Sequence, residues 1–103
     1  MFGNWSAAQT ILPDTEEATE KKVKEAFARN WSVIVWNDPI NLMNWVVFVF
    51  KKVLAFNEQK ATKHMLEVHH QGKSCVANET REKAELYHQQ LQAHGLTVTI
   101  EEN

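Results

Sequence analysis

From residue 31 onward the chain alternates between two apolar rhythms, and each switch marks a new element. The first run, WSVIVW over 31–36, is β-branched and aromatic, which favours a buried strand. Asn37, Asp38 and Pro39 stop it, because Pro39 cannot donate to a ladder and Asn and Asp favour turns. Asn41 is placed to cap a first helix. In that helix Met43, Val46, Val47, Phe50, Val53 and Leu54 recur at helical spacing, while Trp45, Phe48 and Val49 make it apolar nearly all round. Such a helix is expected to be covered on more than one side. Asn57 is a second N-cap, with Glu58 at the positive end of the helix dipole. Thr62, Met65, Leu66 and His69 share one face of this second helix, flanked by Ala61 and Val68, and Gly72 ends it. Residues 74–77 form a short strand. Thr80 caps a third helix with Ala84, Tyr87, His88 and Leu91 on one side and Gly95 at its end. The run LTVTI over 96–100 alternates strictly, so Leu96, Val98 and Ile100 face one way in a half-buried strand.

The order is therefore strand, helix, helix, strand, helix, strand. This predicts an α+β fold, a three-stranded antiparallel sheet with three helices packed on one face. Residues 1–30 lack this patterning. Residues 16–29 are rich in Glu, Lys and Ala with few apolar points, and an isolated helix of that length is barely stable in water. The expectation is a mobile or marginally helical N-terminal extension over 1–30 and a folded domain over 31–103.

Composition narrows the function. The 103 residues are 44% hydrophobic and 23% charged, ordinary values for a globular protein. A net charge of −2 speaks against a general nucleic-acid binder, which needs a basic surface to neutralise phosphates. Residues 1–6 show no signal-peptide pattern, and the longest apolar run, 45–50, is too short to cross a bilayer. A single cysteine, Cys75, forms no internal disulfide and fits a reducing compartment, so a cytoplasmic protein without membrane attachment is expected.

Candidate chemistry is sparse. Cys75 sits mid-strand, where a small buried thiol is commonplace. His64, His69, His70, His88 and His94 have none of the recognised metal-ligand spacings: His64 and His69 point in different directions, and adjacent His69 and His70 diverge by roughly 100° on a helix. No nucleophile motif, phosphate loop or cofactor motif is present, so neither metal, cofactor nor catalysis is expected. The most informative cluster pairs the turn over 37–43 with the helical stretch over 65–70. Read singly, Asn37 and Asp38 make a turn, Met43 and Met65 fill core, and His69 ends a helix. On spacing alone the chain is a soluble α+β domain.

Taken together these segments resemble the ClpS family of Clp protease adaptors. The run WSVIVWNDPINLMNWVV over 31–47 resembles that family's first strand and the entry to its first helix. The pattern A-T-x-x-M-L-x-V-H-x-x-G over 61–72 resembles its second helix, Thr80, Arg81 and Glu82 the start of its third, and LTVTIE over 96–101 its last strand. The resemblance spans about 31–102.

The resemblance implies an N-degron adaptor. Asn37, Asp38 and His69 correspond to the groups that hold the α-amino group of a target. Val35, Trp36, Met43, Val46, Met65, Val68 and Leu96 correspond to a hydrophobic pocket for its bulky first side chain (Phe, Leu, Trp or Tyr). Asn41 joins that lining where many relatives have Thr, and Pro39 stands where many have a second Asp, leaving Asp38 the only carboxylate on the turn. Met43 aligns with a gate expected to exclude β-branched side chains. Glu82 corresponds to the docking region for the N-terminal domain of a ClpA-like or ClpC-like AAA+ unfoldase, and the extension 1–30 to the segment that the motor engages. The chemistry is coherent: an α-ammonium offers three donors and a positive charge, so its capture wants oxygen acceptors, one of them ionised, and a neutral imidazole nitrogen. Two rival classes remain at this point: an interaction module of the same fold that ignores N-termini, and a small enzyme using Cys75 or a histidine.

Overall fold

The computed structural model describes residues 20, 22–24 and 28–103. Most of the expected N-terminal extension lies outside the described residues. The folded part runs β1 (Trp31–Trp36), α1 (Met43–Leu54), α2 (Glu58–Gln71), β2 (Lys73–Glu79), α3 (Arg81–Ala93) and β3 (Thr97–Glu102). The sheet order is β2-β1-β3, and β1 pairs antiparallel with both neighbours. This is the α+β architecture expected from the sequence.

Alternation in β1 sets the two faces of the sheet. Val33 and Val35 point to the helices and are fully or almost fully buried, while Ser32, Ile34 and Trp36 point the other way. The β1–β2 register shifts between Val33 and Ile34, so Ala77 faces Val33 and Cys75 faces Ile34. This bulge places one extra residue, Val76, on the helix side, where it is buried beside Ala77. It also leaves Cys75 on the outer face. The thiol is exposed, contrary to the buried one expected, because its position belongs to the outer set of the strand.

The helices close the other side of the core. Helix α1 buries Val46, Val49, Phe50 and Leu54, spaced by helical turns. It packs against both α2 and α3, as a helix covered on more than one side, but Leu42 just before it and Met43, Trp45 and Phe48 on it stay exposed. The indole N–H of Trp45 donates to the His94 carbonyl at 2.9 Å, and its ring stacks on Phe48. An amphipathic aromatic can thus serve a surface position. Helix α2 buries Ala61, Met65 and Val68, not the expected face through Thr62, Leu66 and His69, and Leu66 and His69 are exposed. Two stripes overlap at Met65, and the sheet takes the smaller, more apolar one. Helix α3 buries Ala84 and Leu91 with Tyr87 and His88 half-buried, as the sequence indicates. Asn57 and Thr80 cap α2 and α3 by accepting from the backbone N–H of Lys60 and Lys83.

Candidate binding site

Strand β1 ends beside the C-terminal end of α2. Gly72, in left-handed conformation at φ 90°, reverses the chain there, and its carbonyl accepts from the backbone N–H of Asn37 at 2.9 Å. The turn then closes on itself. The Asp38 carbonyl accepts from Asn41 N–H at 3.1 Å, and Asp38 Oδ1 accepts from Ile40 N–H at 2.9 Å. The expected capping role of Asn41 does not hold. Leu42 is the N-cap of α1 and makes no side-chain cap bond, because the Asn41 amide donates instead to the Gly95 carbonyl at 3.0 Å. That bond ties the turn to the α3–β3 connection. Thr97 adds another tie, its hydroxyl donating to Asp38 Oδ2 at 3.1 Å.

These tethers frame a hollow of about 350 Å³, its open mouth included. Val35, Trp36, Asn37, Asp38, Asn41, Met43, Val46, Met65, Val68, His69 and Leu96 line it. All three residues singled out for amino-group binding, and all eight assigned to the pocket, therefore border one space. The wall is apolar where α1, α2 and β1 meet; the polar groups gather at the mouth. Met43 is exposed at that mouth, whereas Met65 and Val68 are buried behind it. Trp36 is divided between two surroundings. Its indole N–H donates to the Thr99 hydroxyl at 2.8 Å and Lys73 lies over its ring, so its aromatic face serves the outer side of the sheet.

The hydrogen bonding at the mouth is incomplete. Among the described residues the Asn37 carboxamide has no hydrogen-bond partner, and the His69 ring meets only the edge of His70. Asn41 donates an amide N–H to Gly95, and its side-chain oxygen has no hydrogen-bond partner among the described residues. Asp38 has two neutral donors and, among the described residues, no cationic side chain within ion-pair distance. Glu82, by contrast, lies away from the hollow, exposed in the first turn of α3.

A serine, a histidine and a carboxylate also meet, but elsewhere. The Ser74 hydroxyl donates to Glu67 Oε1 at 2.6 Å, so His64 Nδ1, 2.8 Å from Ser74 Oγ, must carry the proton and donate. A base would have to accept from that hydroxyl, so the polarity is the reverse of an activated nucleophile. Ser74 is buried as well. Burial, its main cause, lowers the His64 pKa, and the Ser74 hydrogen bond lowers that of Glu67. The trio is structural. Among the described residues no group of three or more His, Cys, Asp or Glu gathers for a metal, and no helix is long and apolar enough to cross a membrane.

The family model for the ATP-dependent Clp protease adaptor protein ClpS matches residues 26–99. The chain belongs to the ClpS family. The ClpS adapter protein of Nocardia farcinica is 42% identical over 96 residues, which cover 93% of this chain and 88% of that one. The Mycobacterium leprae ClpS adapter is 39% identical over 93 residues, 90% of this chain and 86% of its own. The fold matches Agrobacterium tumefaciens ClpS2 bound to L-phenylalaninamide with a TM-score of 0.69 and 24% identity, covering 71% of this chain and 95% of that chain. As a ClpS-family member, the chain is an adaptor of the Clp protease, and its partners are that machinery and the proteins it degrades.

The sequence points to the residues of the hollow but not to the ties that hold its mouth. Thr97 and the carbonyls of Gly72 and Gly95 carry no sign of their part in it. A threonine in an alternating strand looks the same whether it faces solvent or a carboxylate, and Thr99 carries the same signal.

Proposed function

We propose that this adaptor captures the free α-amino group and the large apolar first side chain of a target protein, then passes the target to a Clp-family unfoldase. The observation that carries this reading is Asp38. Its carboxylate is oriented by neutral donors, lacks an ion-pair partner among the described residues, and sits at the mouth of an apolar hollow. An α-ammonium supplies the missing charge, and the free oxygen of Asn37 with a neutral His69 nitrogen gives its other N–H groups acceptors. An internal peptide has one uncharged N–H to offer and leaves these acceptors unmatched. The ligand named for the Agrobacterium protein, L-phenylalaninamide, has both features, a free amino group and a benzyl side chain.

Magnitudes are consistent with an adaptor that must release its cargo. Each charge-assisted hydrogen bond contributes about 1.5–3 kcal/mol, and burial of a Phe-sized side chain about 1.5–3 kcal/mol. With three such bonds the gross gain is about 6–12 kcal/mol, and association costs of about 4 kcal/mol or more make micromolar affinity the tight limit. The test is a Phe-first peptide compared with its N-acetylated form. Acetylation removes the charge and two donors, so a loss of about 100-fold is expected. Equal affinity for the two forms overturns the reading.

For delivery, exposed Glu82 on α3 is the docking point for the unfoldase's N-terminal domain, ClpA-like or ClpC-like, and the segment 1–30 is what the motor engages. Deletion of 1–25 then leaves peptide binding intact and stops degradation of a Phe-first reporter. Loss of both activities counts against this division of labour. A second reading, a partner-binding module indifferent to N-termini, is favoured by the exposed Leu42 at the entry to α1 and Trp45 and Phe48 on it. Under the first reading, Trp45→Ser with Phe48→Ser leaves Phe-first peptide binding unchanged.

A further inference from the structure

We propose that Thr97 is a positioning residue for amino-group capture, acting through Asp38; this deepens, and rests on, the N-terminus reading above. A carboxylate on an exposed turn rotates about two bonds, and the Ile40 N–H on Oδ1 is a local contact that moves with the turn. The Thr97 hydroxyl on Oδ2 comes from a different element, at 3.1 Å and 59 positions along the chain. Thr97 itself is fixed by the sheet, opposite Trp36 at the end of the β1–β3 ladder. Two donors from two directions fix the plane of the carboxylate. Each oxygen keeps a second lone pair for a ligand.

The choice of a hydroxyl has an electrostatic consequence. A lysine or arginine at 97 would orient Asp38 equally well, but it would supply the charge that the site must take from its ligand. A valine would suit an exposed, β-branched strand position and give no orientation. Threonine is the residue that keeps strand propensity, aims the carboxylate and leaves its charge uncompensated. Its neighbour on the same face, Thr99, is engaged differently, accepting from the Trp36 indole. The tie to Asp38 therefore belongs to Thr97 alone among the outward threonines of β3.

A double-mutant cycle tests this on the full chain, with a fluorescent Phe-first peptide as probe and its N-acetylated form as control. Thr97→Val is expected to weaken the free-amine peptide about fivefold, the size of one ordinary hydrogen bond. In the Asp38→Ala background the same change is expected to have less than about a twofold effect, because the acceptor is gone. Thr97→Ser, which keeps the hydroxyl, restores the affinity to within about twofold. A fivefold loss in both backgrounds would assign Thr97 to the stability of β3 and overturn the proposal. So would wild-type affinity in Thr97→Val while the wild type still discriminates against acetylation, an outcome that leaves the N-terminus reading standing. A wild type that binds both peptides equally overturns the two together.

Discussion

Two of the three histidines on helix α2, His64 and His69, have opposite surroundings. His64 is enclosed: its Nδ1 donates to Ser74, Glu67 lies 3.2 Å away, and Phe56 stacks on its ring at 5.2 Å. His69, at the other end, faces the mouth of the hollow with no hydrogen-bond partner among the described residues. The carboxylates nearby differ in the same way. Glu67 is matched by protein on the inside, and Asp38 is held but not neutralised. A polar cluster that satisfies itself contributes to stability and has nothing left for a ligand. One that is oriented but incomplete contributes little to folding and keeps its capacity for binding. The residue types are nearly the same, and the partners decide.

The contrast makes the mouth the place where affinity and stability separate most. Asn37→Ala combined with His69→Ala is expected to weaken a Phe-first peptide about 100-fold, two charge-assisted bonds, while shifting stability by less than about 0.5 kcal/mol. Titration calorimetry and thermal melts on the same samples check both halves. A large fall in melting temperature would mean that the mouth also supports the fold. Ser74→Ala is expected to do the converse. Loss of the buried hydroxyl that joins His64 to Glu67 costs about 1–2 kcal/mol of stability, a fall in Tm of roughly 5–15 °C, with peptide affinity unchanged. Affinity that drops with stability would show that the two clusters are coupled through α2.

A smaller effect concerns the shape of the hollow. Met43 stands exposed at its mouth, while Met65 lies buried within. Met43→Ala is expected to raise the affinity for Val-first and Ile-first peptides about fivefold by removing bulk that clashes with a branched Cβ. A competition series across first residues reads this out. An unchanged order of preference would remove Met43 from any role in selection.

The reach of the sequence divides along the same line. The strands, the three helices and the caps at Asn57 and Thr80 are legible because periodicity and capping are local signals. The residues of the hollow become visible only through the resemblance to ClpS proteins. Periodicity alone gives α2 the wrong face, since Thr62, Leu66 and His69 fit a helical stripe as well as Ala61, Met65 and Val68 do. The exposure of Cys75 is hidden because a bulge at Val76 leaves no mark in the short run SCVA over 74–77. The exposed aromatics of α1 are hidden too, because apolarity is not the same as burial: an indole bonded to the His94 carbonyl is at home on a surface. Long-range ties such as Asn41 to Gly95 and Thr97 to Asp38 leave no local mark at all.

The enclosed cluster should also give the protein a mild acid sensitivity. Burial holds the His64 pKa below the ordinary 6.5, and Lys63 and Lys60 push the same way, outweighing the opposing pull of Glu67. Above about 6.5 the imidazole is neutral in both folded and unfolded chains, and its contribution is fully present. As pH falls through that value the unfolded chain takes up the proton first, so the equilibrium moves toward unfolding until the folded value is also passed. Glu67, lowered from 4.5, acts with the same sign in a lower window: its contribution is present above 4.5 and lost as pH falls through its folded value. Melting temperature is therefore expected to decline by a few degrees between about pH 7 and pH 5, and His64→Gln should flatten that segment while leaving the decline below 4.5 in place. A melting temperature that rose on acidification across the upper window would mean that the Glu67 carboxylate outweighs burial, and that His64 is stabilised in its charged form.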